Sequence, residues 1–264
     1  TPPIMRTRLL TSFLLALAAC SAREPVLLSV VTYNVHHGED QNGAPNYDRV
    51  GELLREWAPD LVALQEVDVR TTRVGGLDMV DEYAVRSGLE GVFGQAMPFD
   101  GGGYGEAVLA GIAIDDWTNH PLPHAPNHEP RAALEMRVRA RDGTLVAFVG
   151  THLDHTGDPA DRIAQAARLV ELFAGREEPV VLVGDFNSLP DSEAMRLLFA
   201  AGFVDAAAEH PQFTFPAERP ERRIDWILVA PAHRWRVRQV GTVAEGVASD
   251  HRPLRATLEL LPAR

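Results

Sequence analysis

In the segment Pro179-Val180-Val181-Leu182-Val183-Gly184-Asp185-Phe186-Asn187, an uninterrupted apolar run leads directly into a carboxylate and an amide. Such a run predicts a strand buried inside a sheet over Pro179–Val183. Charged side chains are seldom fully buried unless they are paired or bind a metal ion. We therefore expect Asp185 at a solvent-facing end of a core strand, where a carboxylate is available for chemistry.

Four further apolar segments end in polar side chains in the same way. The five strand ends are Tyr33-Asn34, Leu64-Gln65-Glu66, Thr151-His152-Leu153-Asp154, Gly184-Asp185-Phe186-Asn187 and Ser249-Asp250-His251. A sixth acid, Asp225, lies inside the apolar run Ile224–Val229. If these strands pack side by side, their ends converge, so the side chains are expected to line one pocket.

The residue types at these ends indicate a metal-dependent hydrolase. Glu66, Asp185 and Asp250, with asparagine and histidine nearby and no thiolate, form an oxygen-rich environment that suits Mg²⁺ or Mn²⁺ better than structural zinc. Mg²⁺ usually takes one or two protein carboxylates and keeps positions open for substrate phosphate. With histidines as proton partners or anion stabilisers, the set points to phosphoester hydrolysis.

The rest of the chain alternates strand and helix signals without a linker or repeat, which indicates one domain over residues 26–262. Helices are predicted over Asn46–Trp57 and Ser192–Ala201 and after Asp158-Pro159, and further strands over Val26–Tyr33, Leu61–Leu64, Arg137–Arg141, Leu145–Gly150, Trp235–Val240 and Leu254–Leu260. Asp142-Gly143 predicts a hairpin turn, and hairpins mixed with strand–helix alternation favour an α/β fold with mixed sheets. The run Gly101–Gly105 precedes no evident helix and is interpreted as a flexible loop.

Six motifs, in chain order, resemble those of the endonuclease/exonuclease/phosphatase superfamily. They are Thr32-Tyr33-Asn34-Val35, Leu64-Gln65-Glu66-Val67, Gly150-Thr151-His152-Leu153, Gly184-Asp185-Phe186-Asn187, Arg223-Ile224-Asp225-Trp226 and Ser249-Asp250-His251-Arg252-Pro253. The resemblance covers the chain from Val26 to Leu261. It implies the DNase I-like fold, a four-layer α/β/β/α sandwich in which two packed mixed β-sheets are flanked by helices. It also implies a divalent-metal phosphoester hydrolase with in-line attack by water.

The resemblance also implies which residues hold the metal. Glu66 resembles the principal ligand of Mg²⁺ or Mn²⁺, and Asn34 lies beside it in contact with metal or phosphate. Asp250 is expected as a further metal contact. A bound metal ion would lower the pKa of a bound water and neutralise phosphoryl oxygens.

The catalytic positions follow from the same resemblance. Asp185 resembles the residue that orients or deprotonates the attacking water, and Asn187 the one that holds the phosphoryl oxygens. His152 resembles a phosphate-contacting histidine, and His251 resembles a second one that Asp225 positions. A carboxylate beside a histidine raises the basicity of the imidazole, so that its charged form can donate to developing negative charge.

Three polar residues outside these motifs are candidates for substrate contact. Arg131 and Arg73 lie in polar segments and are either bidentate clamps for phosphate or solvated surface arginines. Tyr104 either lines the pocket or packs. The stretches around both arginines look like those of small bacterial members of the family, but such members carry Gly-Asn after the tyrosine, whereas this chain has Gly105-Glu106. Glu106 is expected to place an extra negative charge near the phosphate.

Two other interpretations stay open at this point. The pattern His152-x-Asp154-His155 is part of the signature of zinc hydrolases with the metallo-β-lactamase fold, although the missing first histidine would fall at Gly150. A binding lipoprotein that has lost activity on the same fold is the second, and the complete set of expected metal and water-positioning residues argues against it. The pair His36-His37 is a poorer metal motif, since loop histidines usually face solvent.

The first residues resemble an export signal. Arg6 and Arg8 precede the apolar stretch Leu9–Ala18, which is too short to span a bilayer. The ending Leu17-Ala18-Ala19-Cys20 resembles the lipobox of bacterial lipoproteins. We interpret residues 1–20 as a signal peptide, Cys20, the only cysteine, as its lipidation site and residues 21–25 as a tether. The prediction is an exported lipoprotein of the bacterial cell envelope, and palmitate labelling of Cys20 distinguishes it from a plain signal peptide.

The charge of the chain limits its partners. The formal net charge is −12, from 37 acidic residues against 25 basic residues, all of them arginine. An acidic surface repels nucleic-acid backbones and anionic membranes at long range. We therefore expect a monomer that contacts a membrane only through its lipidated N-terminus and hydrolyses a small or lipid-derived phosphoester, with an extracellular endonuclease as the alternative.

Overall fold

The computed structural model describes residues 24–210 and 212–263. The predicted signal peptide with Cys20, and residues 21–23 of the predicted tether, lie outside these ranges. The strands are β1 Val26–Asn34, β2 Leu61–Val69, β3 Glu90–Phe99, β4 Gly102–Ala110, β5 Ile114–Leu122, β6 Arg131–Arg139, β7 Leu145–His152, β8 Val180–Asp185, β9 Val204–Asp205, β10 Asp225–Ala230, β11 Trp235–Thr242 and β12 Leu254–Leu260. The helices are α1 Tyr47–Trp57, α2 Met79–Ser87, α3 Ala160–Phe173 and α4 Glu193–Ala200, and short 3₁₀ turns cover His36–Gly38 and Ala232–Arg234.

The strands form two mixed sheets of similar design. The first has the order β11-β12-β1-β2-β4-β3 and the second the order β5-β6-β7-β8-β10-β9. Each sheet contains one parallel pair, β1 with β2 and β7 with β8, and a helix crossover joins the two strands of each pair. The other neighbours in both sheets are antiparallel.

The two sheets pack face to face, with helices on their outer faces. Their inner faces share one apolar cluster that includes Val108, Leu134 and Phe148. Helices α1 and α2 cover the outer face of the first sheet, and α3 and α4 cover that of the second. The predicted four-layer α/β/β/α sandwich of the DNase I-like fold is confirmed. Within the described ranges, no helix has both the length and the apolar character needed to cross a membrane.

The strand β8 shows why the sequence signal was clear at the centre of the molecule. It lies between β7 and β10, and all six of its residues are buried, so both of its faces must be apolar until the strand ends. The predicted helices over 46–57 and 192–201 are also present, and the Ser192 hydroxyl accepts from the Met195 backbone N–H at 3.3 Å as an N-cap.

The interpretation of Gly101–Gly105 as a flexible loop is wrong. Gly102 to Gly105 belong to β4, which lies between β2 and β3. A Cβ atom on Gly102 would lie 2.2 Å from the Val69 carbonyl oxygen, and one on Gly105 would lie 2.1 Å from the Gly94 carbonyl oxygen. Glycine is needed here because neighbouring backbone comes too close for any side chain.

Candidate active site

Strand register brings the predicted catalytic residues to one edge of the sandwich. In the second sheet His152 pairs with Asp185 across β7 and β8, and Asp185 pairs with Asp225 across β8 and β10. In the first sheet β1 ends at Asn34, next to Gln65 of β2. The polar ends of both parallel pairs therefore meet, as the sequence pattern led us to expect.

A bulge in β2 sets the position of Glu66. The register of β2 against β4 shifts between Leu64 and Val67, so that Gln65 and Glu66 stand opposite the single residue Glu106. Glu66 has φ of 60°, a left-handed value that is uncommon outside glycine. The bulge leaves the Glu66 side chain partly exposed, with 23% of its area accessible, among otherwise buried neighbours.

Asn34 links the two sheets at this edge. Its Nδ2 donates to Glu66 Oε1 at 3.0 Å and to Asp185 Oδ2 at 3.2 Å. Its Oδ1 accepts from the His36 backbone N–H at 3.0 Å. The Ser249 hydroxyl donates to the backbone carbonyl of Asn34 at 2.7 Å. One buried amide therefore holds the predicted metal ligand and the predicted base within reach of each other.

Asp185 lies at the centre of the cluster. Its Oδ2 is 3.6 Å from His152 Nε2 and 3.5 Å from His251 Nε2, and its Oδ1 accepts from the Asn187 backbone N–H at 2.8 Å. The residue is only 1% exposed, so the expected solvent-facing position is wrong. Burial raises the pKa of Asp185, Asp225 adds to this effect, and the charge on His251 opposes it.

The two histidines have opposite electrostatic environments. His251 Nδ1 lies 2.9 Å from Asp225 Oδ2. Burial alone would lower the pKa of His251, but the carboxylates of Asp225 and Asp185 outweigh it and raise this pKa to about 10. Burial and the positive charge of Arg131 lower the pKa of His152, so His152 is neutral while His251 is charged.

Hydrogen bonds define the tautomer of His152. Arg131 Nη1 lies 3.1 Å from His152 Nδ1, and an arginine can only donate, so the imidazole proton is on Nε2. The Asn187 side-chain nitrogen lies 3.1 Å from that Nε2 and 3.1 Å from the Leu153 carbonyl. The Nε2–H of His152 therefore faces the Asp185 carboxylate at 3.6 Å, whereas the Asn187 nitrogen, itself a donor, donates to the Leu153 carbonyl.

Asp185, Asp225 and His251 are buried and offer atoms within 4.8 Å of one another, a grouping that could hold a metal ion. Because His251 is charged and both of its nitrogens face these carboxylates, the donors available to a cation are carboxylate oxygens. Within the described ranges, Asp225 Oδ1 is buried and has no hydrogen-bond partner. Burial opposes ionisation of Glu66, but hydrogen bonds from His37 and Asn34 and the neighbouring imidazoles lower its pKa. Ionised oxygen donors without a full set of partners fit a divalent cation.

The remaining candidates lie at the border of this cluster. The only hydrogen-bond contact of the Asp250 carboxylate within the described part of the chain is the Ser249 hydroxyl, at 3.4 Å. Arg131 is buried and also contacts Glu129 at 3.0 Å and His155 at 3.1 Å. Its guanidinium thus orients histidines instead of lying free in a polar loop.

Arg73 and Tyr104 pack against each other. Arg73 Nη2 donates to the buried Asp68 at 2.9 Å, and its guanidinium lies 4.7 Å above the Phe99 ring and 5.5 Å from that of Tyr104. Tyr104 is 7% exposed, and burial raises the pKa of its hydroxyl well above the ordinary value.

His37 is a site residue that sequence reasoning missed. Its Nδ1 lies 3.5 Å from Glu66 Oε2, and the hydrogen bond with Glu66 raises the pKa of the imidazole. The expectation that His36-His37 simply faces solvent is wrong, because both residues are half-buried, His36 Nδ1 is buried and His37 contacts Glu66. The available signal was the position of the pair, two residues after the strand-end Asn34.

The metallo-β-lactamase alternative is excluded by the fold and by the position of Asp154. This carboxylate is fully buried, accepts from the Thr156 backbone N–H at 2.9 Å and lies 3.7 Å from Arg162. It shapes the loop after β7.

Glu106 behaves differently from the expected extra negative charge. It is 1% exposed, and both of its carboxyl oxygens lack a hydrogen-bond partner within the described ranges. Burial raises its pKa to about 8, although the charge of Arg131 opposes this. Glu106 is therefore mostly neutral at pH 7.

The Glu106→Gln variant is expected to unfold less readily than the wild type at pH 9 and about equally at pH 5. Between pH 4.5 and about 8 the unfolded chain loses the Glu106 proton while the folded chain keeps it, so folding stability falls as pH rises. Glutamine removes this penalty, which is on the order of a few kcal/mol. Urea denaturation at both pH values measures it, with exposed Glu90→Gln as the control. An equal stability difference at both pH values would contradict the assignment.

Comparison with known proteins agrees with this fold. Residues 31–251 match the model of the Endonuclease/Exonuclease/phosphatase family. The chain belongs to this family. Members of the endonuclease/exonuclease/phosphatase family are phosphoester hydrolases. The chain is 27% identical over 245 residues to the uncharacterized protein YbhP of Escherichia coli K12, covering 88% of this chain and 96% of that protein.

Solved structures of the family share the fold at low identity. The endonuclease/exonuclease/phosphatase from Beutenbergia cavernae has a TM-score of 0.73 at 21% identity, over 89% of this chain and 72% of that one. The Bacteroides thetaiotaomicron mannosyl-6-phosphatase Bt3783 has a TM-score of 0.71 at 19% identity, over 88% of this chain and 99% of that one.

Proposed function

We propose that this protein is a divalent-metal-dependent phosphoester hydrolase that acts by in-line attack of water on a small phosphoester. The observation that carries the proposal is the Asn34 amide, which holds Glu66 and Asp185 together at 3.0 and 3.2 Å where two histidines converge. A metal ligand, a base and two donors to phosphate are the parts that this reaction requires.

The protein side chains have distinct roles in this proposal. Asp185 orients the attacking water and accepts its proton, and its raised pKa brings the carboxyl closer to the working pH of a general base. Charged His251 donates to a phosphoryl oxygen as negative charge develops there. Neutral His152 donates through Nε2, and the Asn187 amide holds a second oxygen.

The metal position follows from the donor set. Glu66 with Asn34, and Asp250 as a further contact, would hold Mg²⁺ or Mn²⁺, which when bound supplies an acidified water and neutralises phosphoryl charge. The carboxylates of Glu66 and Asp250 supply oxygen ligands that both ions accept, while the Asn34 Nδ2 holds Glu66 in place.

A cavity beside Asn187 favours a small substrate. It has a volume of about 400 Å³, and its lining includes His155, Arg162, Ser188 and Arg222. This volume lies in the range of binding sites for small molecules. The arginine and hydroxyl groups in the lining suit a polar alcohol as the leaving group of the phosphoester. The related protein from Bacteroides thetaiotaomicron is named a mannosyl-6-phosphatase, which supports a phosphoester of this size.

A panel of substrates with controlled metal content tests the function. We expect hydrolysis of small phosphomonoesters or phosphodiesters with Mg²⁺ or Mn²⁺, complete loss with EDTA and recovery when either ion is restored. Phospholipids and duplex DNA complete the panel, and the net charge of −12 predicts the weakest turnover on DNA. Preferred turnover of DNA would establish the endonuclease instead. No turnover of any phosphoester with either ion would identify a non-catalytic binding protein.

A further inference from the structure

The turn after β1 has an unusual backbone. His36 and His37 are consecutive residues with φ of 49° and 42°, both in the left-handed region. Residues other than glycine seldom adopt this region, because the conformation is strained. Such conformations persist only where the surrounding structure holds them, so the turn needs an explanation.

A buried polar network holds this turn. The Asn46 side-chain nitrogen donates to the carbonyls of Val35 at 2.8 Å, Glu39 at 3.3 Å and Ala248 at 2.8 Å. The Tyr83 hydroxyl donates to Asn46 Oδ1 at 2.8 Å, which fixes the orientation of the amide. The buried Asn46 amide, with all of its hydrogen bonds made, therefore holds the two histidines in their left-handed backbone conformation.

The turn places the His37 imidazole between two carboxylates. Its Nδ1 lies 3.5 Å from Glu66 Oε2, and its Nε2 lies 3.5 Å from Glu39 Oε2. The other oxygen of Glu66 already accepts from Asn34. The side chains of His37 and Glu66 are each 23% exposed, so both border open solvent at the edge of the site.

The spacing of these atoms suits a shared cation. Without a metal ion, Nδ1 donates to an oxygen of Glu66 across 3.5 Å; a divalent ion would take the place of that proton, while the Nε2–H still faces Glu39. That distance is longer than an ordinary N–H···O hydrogen bond. Two ligand atoms about 2.1 Å from one octahedral ion are separated by about 3 Å, so a small closing movement would bring both onto the same ion.

We propose that His37 is an additional ligand of the divalent metal held by Glu66, with Glu39 orienting the imidazole. The inference rests on the proposed metal site. A histidine ligand whose second nitrogen faces a carboxylate is a common arrangement at protein metal centres, because the carboxylate fixes the tautomer. Imidazole favours first-row transition metals, whereas Mg²⁺ favours oxygen ligands. The site therefore selects Mn²⁺ over Mg²⁺ more strongly than an all-oxygen site would.

Electron spin-echo spectroscopy of the Mn²⁺-loaded protein tests this ligand directly. With ¹⁵N-labelled histidine, the wild type is expected to show a coupled histidine nitrogen that is lost in His37→Asn. Asparagine is chosen because it tolerates left-handed backbone. By calorimetry, the affinity for Mn²⁺ is expected to fall at least about tenfold in this variant and that for Mg²⁺ less, which lowers the selectivity. The control is His233→Asn, at an exposed position in the 3₁₀ turn Ala232–Arg234.

The outcomes separate the ligand from other roles and from the proposed function. Identical histidine-nitrogen coupling in the wild type and His37→Asn would overturn the proposal, as would equal loss of affinity for both ions, which indicates a hydrogen bond that only positions Glu66. If His37→Asn fails to fold, Glu39→Gln replaces it, and unchanged Mn²⁺ selectivity in that variant also counts against the proposal. Neither readout needs turnover, so an inactive protein with the expected coupling would refute the function and leave the ligand in place.

Discussion

Replacing Asp185 by asparagine is expected to lower kcat by about a hundredfold to ten-thousandfold, the usual contribution of a general base. Asparagine has nearly the same shape but cannot take a proton from the attacking water. It keeps an oxygen that can accept from the Asn187 backbone N–H, now 2.8 Å from the carboxylate. The loss should therefore be in the chemical step and not in the local structure.

Stability distinguishes this prediction from simple damage to the fold. Burial raises the pKa of Asp185, which means that the folded protein disfavours the charged form. A neutral asparagine removes that penalty but turns an amide nitrogen toward Asn34 and the two imidazoles, so the thermal midpoint of Asp185→Asn should change little compared with the loss of activity. The control is Asp142→Asn at the exposed hairpin tip, which should keep full activity. Wild-type activity in Asp185→Asn would refute the role of Asp185.

Strand β8 and its polar end are predictable because burial on both faces requires apolar residues along the strand, whereas the equally buried β4 is not, because its glycines resemble those of a loop. Strand β8 is apolar at every position until Gly184-Asp185, and any fold must place such a segment inside. Edge strands leave a weaker record, and of the edge strands in the described part of the chain only β11 is predicted. Strands β3 and β5 lie at sheet edges, and β5 includes the exposed Asp115, Asp116 and Trp117, so no strand was predicted there.

The candidate site was predictable as a set of residues but not as a set of contacts. The resemblance to the family named Glu66, Asn34 and Asp185 from their motifs. The contacts between them depend on a bulge in β2 and on one amide reaching across two sheets. Nothing in residue spacing specifies either feature, because both arise from the packing of elements distant in the chain.

Two residues differ from the sequence prediction in their charge or burial because of their neighbours in space, not because of their residue type. The sequence predicts Glu106 as a negative charge, but burial without hydrogen-bond partners among the described residues keeps it mostly neutral at pH 7. Arg131 was expected in a polar loop, whereas it lies buried against His152. Sequence shows that a side chain can ionise or donate, and only the neighbours in space determine what it does.

The Asp225→Asn variant is expected to lose about a hundredfold or more in kcat/KM at pH 8, because His251 would lose the carboxylate that keeps it charged. His251 acts as a donor in its protonated form, so activity is present below its pKa and is lost as pH rises through it. With Asp225 that pKa is raised to about 10. Without the Asp225 charge, burial is opposed mainly by Asp185 and the pKa of His251 falls, so the alkaline limb of the pH–rate profile should move to lower pH.

A matched pair elsewhere in the molecule separates this effect from the loss of any buried ion pair. His120 Nε2 lies 2.8 Å from Glu135 Oε2, a contact like that of His251 with Asp225 but on β5 and β6, away from the cluster. Glu135→Gln should therefore alter stability and leave the pH–rate profile unchanged. If Asp225→Asn lowers activity by the same factor at every pH, Asp225 acts only by holding the His251 ring in place. A shift of the alkaline limb, absent in Glu135→Gln, shows that it acts through the charge on the imidazole.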